Sequence, residues 1–236
     1  MNLDHAATIR SCPLFGAVRR DLLERVADAA IERHMGPHRT LVSQGEPFHY
    51  LGIVVEGSIV ATATSAEGRE RILYEAKPND TFGVIPLLDE GGTVARIAAG
   101  EHGAILLLIP KHAVDLACRS DAALSFRLAR AAAHRARTLT QSLSDLAFAS
   151  TAARTARALL SFLPVQPADV SMTGWVEAPL ELRRLSQSHL ARLVGTVRVV
   201  AARVLHALAV GNGIILERGR VVRINASVLA HWVQPR

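Results

Sequence analysis

The chain has 236 residues, half of them apolar, with 27 Lys and Arg against 21 Asp and Glu for a formal charge of +6. That length holds one large domain or two small ones with sizeable cores. Its two cysteines, Cys12 and Cys118, are too few for a disulfide framework, a four-cysteine zinc site or an iron–sulfur cluster built by one chain.

The first residues, Met1–His5, show neither a basic nor an apolar signal region, and the longest apolar run, Ala104–Pro110, is far too short to cross a bilayer. A cytoplasmic protein without a membrane partner is expected. Pro13-Leu-Phe15 and Leu22–Ala30 read as two short helices. From Arg39 to Ile109 the texture changes to short β-type runs, at Thr40–Ser43, Leu51–Val55, Ile59–Thr64, Arg71–Tyr74, Thr93–Ile97 and Ala104–Ile109. Turn signals separate them at Gln44–Pro47, Glu56-Gly57, Glu67-Gly68, Pro78–Asp80 and Glu90–Gly92. Many short strands at this spacing predict a compact β-barrel or roll.

After Pro110 the pattern is helical. Leu124, Leu128, Ala132, Ala136, Leu139, Leu143 and Leu146 recur every three or four residues and form one apolar stripe. The expectation is a long helix that pairs with a second copy of the chain, the alanines admitting a close partner.

The most informative stretch is 186–224. Ser186–Gly195 places Leu190, Leu193 and Val194 on one helical face and stops at a glycine. Thr196–Leu208 is expected to bury Val200, Val204 and Leu208 while turning Arg198 and Arg203 outward. Gly213–Ile224 alternates around Glu217-Arg-Gly-Arg220, the pattern of a β-hairpin with a basic tip. Helix, turn, helix and basic wing form a device for laying a helix in the major groove of DNA. Charge agrees: from Ser150 onward there are eleven Arg against four acidic residues, a net of +7, while residues 1–149 net −1. A basic C-terminal segment is the electrostatic footprint of a polyphosphate binder.

Taken in order, Gln44-Gly-Glu-Pro47, Val54-Val-Glu-Gly57, Glu67–Leu73, Phe82-Gly83, the long helix ending Asp145–Phe148 and the helix-turn-helix resemble the CRP/FNR family of bacterial transcription regulators. The resemblance implies an α+β chain of three parts. These are an effector-sensing β-roll of the cyclic-nucleotide-binding type (residues 1–119), a dimerisation helix (120–149) and a winged helix-turn-helix (150–236). It also implies a homodimer on a palindromic operator in double-stranded DNA, with RNA polymerase as a further possible partner.

The resemblance places the recognition helix at Thr196–Leu208, with Arg203 at the position that reaches a guanine edge and Arg198 at a base- or phosphate-contacting one. Val199 stands where well-known members carry a glutamate that accepts from cytosine. Valine cannot make that contact, so an operator different from the TGTGA-type half-site is expected. Ser186 and Gln187 sit where the first helix meets phosphate on this reading, Thr196 is a further DNA-binding position, and Arg218 and Arg220 are DNA-binding residues at the wing tip. Ser186 is also a plain helix N-cap.

In family members that bind cyclic AMP, a glutamate after Phe-Gly holds the ribose and an Arg-Ser pair holds the phosphate. Here these positions fall on Val84, and on Val94 and Ala95. Burying a cyclic phosphate without a partner costs several kcal/mol, so control by cyclic AMP in the usual way is not expected. A pocket near Leu73, Phe82, Gly83, Val84, Val94, Arg96, Thr140 and Leu143 reads as largely apolar, open to haem, to another small ligand, or to filling by its own side chains. Cys12 stands alone where oxygen sensors carry a cysteine cluster. Although His34 and His38 resemble a metal pair, Gly36-Pro37 breaks any helix that would align them, so no metal site is expected. No nucleophile with a base, phosphate loop or catalytic acid pair points to an enzyme. The alternative is a ligand-sensing roll whose C-terminal domain contacts protein, which would not need outward arginines on the second helix.

Overall fold

A computed structural model describes residues 3–163 and 174–233, which divide into two compact units: residues 1–69 with 73–139, and 70–72 with 140–236. Among the described residues no single helix is long and apolar enough to cross a membrane.

The first unit opens with α1 (His5–Ser11) and α2 (Arg20–Ala29). The Asp4 side chain caps α1 by accepting from the Ala7 amide. A six-stranded sheet follows, made of β1 (Ile31–Met35), β2 (Thr40–Val42), β3 (Tyr50–Thr64), β4 (Glu70–Ala76), β5 (Thr81–Phe82) and β6 (Arg96–Pro110), with α3 (Val84–Asp89) before the last strand. The path runs β1-β6-β3-β4, with β2 on β6 and β5 on β3. The runs expected at Leu51–Val55 and Ile59–Thr64 are one 15-residue strand. Glu56-Gly57, expected as a turn, is a bulge within it: the register with β6 shifts between Val54 and Glu56 and again between Gly57 and Ile59. Gly57 has φ of +72°, and a Cβ there would meet the Gly103 carbonyl, so the bulge requires glycine.

Alternation splits β6 between two cores. Leu106 and Leu108 face the roll interior with Phe48, Val54, Ile59 and Phe82. Leu107 and Ile109 face outward into a second cluster with Phe15, Leu22, Leu23 and Val26 of the N-terminal segment. This sheet is buried on both faces, which explains its unbroken aliphatic run.

Helix α4 (Lys111–Ser120) leads to α5 (Ala122–Phe148). Leu124 and Leu128, expected at a dimer interface, are 1% and 4% exposed within a single chain and belong to the cluster beneath the N-terminal helices. They leave almost no surface for a partner. Ala132 packs against the same cluster, whereas Leu143 and Leu146 are exposed. A different stripe is exposed along the whole helix: Phe126, Ala129, Ala133, Ala136, Thr140, Leu143 and Ala147, in alternating steps of three and four.

The second unit contains α6 (Thr151–Leu160), β7 (Trp175–Glu177), α7 (Leu180–Arg184), α8 (Gln187–Val194), α9 (Arg198–Val210), β8 (Ile214–Glu217), β9 (Arg220–Asn225) and α10 (Ala226–Val233). Its sheet order is β7-β9-β8, one strand more than the expected hairpin. Leu159, Leu182, Leu190, Val194, Leu205, Leu208, Ile224 and Leu229 fill its core.

Candidate nucleic-acid interface and effector pocket

Ser186 caps α8, its side chain accepting from the His189 amide at 3.1 Å. Gly195 ends α8 in the left-handed conformation, φ 71° and ψ 51°, and α9 starts after Val197 at a bend of 97°. That angle and the short glycine turn are those of helix-turn-helix units. The buried face of α9 is Ala201, Leu205 and Leu208, with Val200 and Val204 only half-buried. Two of the three expected positions thus shift by one residue, from Val200 and Val204 to Ala201 and Leu205, while Leu208 is buried as expected.

Arg198 and Arg203 are exposed, as is Val199 at 68%. Val199, Arg203 and His206 follow i, i+4, i+7 spacing and share one outward face. His206 belongs with the candidate contacts although the sequence reading missed it; its spacing from Arg203 was the available signal. Thr196 lies half-buried in the turn.

The wing turn has Arg218 at φ 48° and Gly219 at φ 76°, two consecutive positive values, as a type I′ hairpin requires. Two side chains expected among the DNA-binding residues have structural partners here. Gln187 donates its amide to the Gly219 carbonyl at 3.2 Å, and Arg220 donates to the Arg184 carbonyl. The wing tip is therefore tied to both α8 and α7. Arg218 remains exposed at the tip. Glu177, itself exposed, pairs with both Arg183 and Arg223.

In the roll, Phe82, Gly83, Val84 and Val94 line a cavity, together with Tyr74, Ala95, Ile97 and Arg135. Leu73, Arg96, Thr140 and Leu143 do not. Alternation along β4 brings Tyr74 rather than Leu73 inward, and Ala95 and Ile97 take the inward places on either side of Arg96. Helix α5 reaches the cavity at Arg135, more than a turn before Thr140, and both Thr140 and Leu143 are exposed. The cavity measures about 40 Å³, against roughly 300–1,000 Å³ for small-molecule sites. Aromatic rings fill the difference: Phe82 stacks on Phe48 with centroids 6.0 Å apart and lies over Gly52, where a Cβ would collide with it. Burial pushes the Tyr74 phenol up, and the Arg135 guanidinium stands 3.8 Å over its ring.

Residues 32–121 match the cyclic nucleotide-binding domain family. The chain is 31% identical over 198 residues to the cyclic AMP receptor protein of Thermus thermophilus, covering 81% of this chain and 86% of that protein. It is 28% identical over 211 residues to a CRP-like cAMP-activated global transcriptional regulator of Mycobacterium tuberculosis, covering 87% and 91%. Its fold is similar to that of the c-di-GMP-responsive global regulator CLP of Xanthomonas campestris, with a TM-score of 0.70 at 24% identity over 86% of this chain and 98% of that one. Roll, long helix and winged helix-turn-helix thus occur in the order shared by these regulators, and the chain belongs to the CRP/FNR family of transcription regulators.

Proposed function

We propose that this regulator is a homodimer that reads a palindromic operator in double-stranded DNA through α9, and that it is not switched by cyclic AMP in the usual way. The observation that carries the reading is the outward face of Val199, Arg203 and His206 on a helix set at 97° to α8, with Arg198 and Arg218 exposed beside it. Arg203 offers a bidentate donor to guanine, Val199 an apolar contact for a thymine methyl, and Arg198 and Arg218 positive charge for phosphates. The exposed α5 stripe from Phe126 to Ala147 supplies the dimer seam. Its alternating steps of three and four are those of a coiled-coil face, and its alanines permit close approach.

Independence from cyclic AMP rests on Val84, Val94 and Ala95 at the expected sugar and phosphate positions and on the small cavity. Any signal that reaches the pair of α5 helices would be converted to rotation of the DNA-binding units at the break between Phe148 and Thr151, where Ser150 caps the next helix.

Selection of random duplex DNA by the purified chain without effector tests the reading. The expected result is an enriched palindrome with half-site centres about 34–36 Å apart. Absence of enrichment, or recovery of an unchanged TGTGA-type half-site, would overturn the proposed readout. Calorimetric binding of cyclic AMP at micromolar concentration would overturn the effector part.

A further inference from the structure

We propose that the flank of α5 holds a second, anion-recognising site, built for a phosphate ester of nucleotide size and separate from the interior of the roll. A cleft of about 560 Å³ lies between α5, the Cys12–Leu14 segment after α1, and the turn joining β4 to β5. Its volume falls within the range of small-molecule sites, roughly 300–1,000 Å³, which the roll cavity does not approach.

Helix α5 lines one wall with Arg127, Arg130, His134 and Arg135, at i, i+3, i+7 and i+8 along one flank. Arg127 is fixed in place. Its Nε donates to the Leu14 carbonyl at 2.8 Å and Asp121 stands 3.6 Å from Nη2. That Nη2 is buried and has no hydrogen-bond acceptor. A guanidinium immobilised by the backbone and faced by a single carboxylate fixes positive potential in this wall, against which the exposed donors at the mouth receive an anion. Arg130 and His134 are exposed at the mouth, where Arg130 adds positive charge and both side chains offer hydrogen-bond donors.

The opposite wall carries Glu75 and Asp80, the latter accepting from the Lys77 amide at 2.9 Å. These carboxylates repel a bare anion but accept from hydroxyl or amino groups. A molecule with phosphate at one end and a sugar or amino-bearing base at the other is complementary in charge to both walls. Arg135 borders this cleft and also the roll cavity, where it covers Tyr74. A phosphate that draws Arg135 toward the cleft removes its cation–π contact with the roll, so occupancy is felt where α5 meets the β-sheet. This route uses none of the family's cyclic-nucleotide positions.

The test is calorimetric titration of the full-length chain with ADP and with inorganic pyrophosphate at low salt. ADP is expected to bind at one site per chain, at least tenfold more tightly than pyrophosphate. Arg130→Ala combined with His134→Ala should weaken ADP at least tenfold while leaving thermal unfolding unchanged. Arg119→Ala, an exposed arginine on α4, should have no effect. Absence of ADP binding at 1 mM, equal affinities for the two probes, or undiminished binding by the double variant would each overturn the proposal. None of these outcomes bears on operator selection, so the two readings fail separately.

Discussion

Two residues two positions apart on α5, one buried and one exposed, should respond to truncation in different ways. Leu124 is 1% exposed within one chain, packed in the cluster that includes Phe15, Leu107 and Ile109. Leu124→Ala removes buried carbon and leaves a cavity, for a cost of about 3–5 kcal/mol. At roughly 3 °C per kcal/mol the midpoint of the sensor unit should fall by about 9–15 °C. Phe126 is 66% exposed in the single chain. A phenylalanine offers about 200 Å², so covering its exposed part in a dimer removes about 130 Å² from water on each copy. At about 25 cal/mol per Å² the upper limit is about 3 kcal/mol per copy and about 6 kcal/mol per dimer. Half of that weakens association about a hundredfold. Sedimentation equilibrium and thermal unfolding at several protein concentrations separate the effects. Phe126→Ala should move the monomer–dimer transition to about a hundredfold higher protein concentration, whereas Leu124→Ala should lower the midpoint at every concentration. If Leu124→Ala dissociated the dimer without changing unfolding, or Phe126→Ala left association intact, the assignment of faces on α5 would be refuted.

Replacing Ser186 by Ala removes the α8 cap and should cost about 1 kcal/mol; an unchanged urea midpoint for the DNA-binding unit would contradict that role. Arg203→Ala should lower operator affinity by about 1–3 kcal/mol per half-site and relax preference at one base pair. Arg198→Ala should reduce the salt slope of binding by about one per half-site with little change in preference. Identical consequences for both arginines would contradict their separate roles. Burial pushes the Cys12 thiol up, so at neutral pH it is almost wholly protonated and should resist iodoacetamide until the chain unfolds. Its labelling in native protein should rise only toward alkaline pH, and rapid alkylation near pH 7 by mass spectrometry would show that the thiol is not enclosed.

Local patterns made the architecture readable: alternating aliphatics for the roll, three-and-four spacing for α5, and Gly195 between two helices. What stayed hidden depends on tertiary neighbours. Glu56-Gly57 has the composition of a turn, yet the facing glycine at 103 lets the strand continue through it as a bulge. Two apolar stripes overlap on α5 and share Ala136 and Leu143. The leucine-rich one drew attention, but its N-terminal half is occupied by α1 and α2, whose packing periodicity does not report. The same limit applies to Arg135. As one arginine among several on a long helix it carries no signal, and only the fold brings it over Tyr74. Gln187 and Arg220 were legible as polar residues near a DNA-facing surface, but not as ties to Gly219 and Arg184.

Those ties bear on how the protein can evolve. A wing whose tip is tied to two helices at once cannot swing to a new groove position when a single side chain changes, so wing and recognition helix form one stamp of fixed relief. Altered operator preference must then arise by exchanging exposed letters on that stamp, such as Val199, Arg203 and His206, without recasting its shape. Descendants of this chain should therefore diverge in half-site sequence sooner than in half-site spacing.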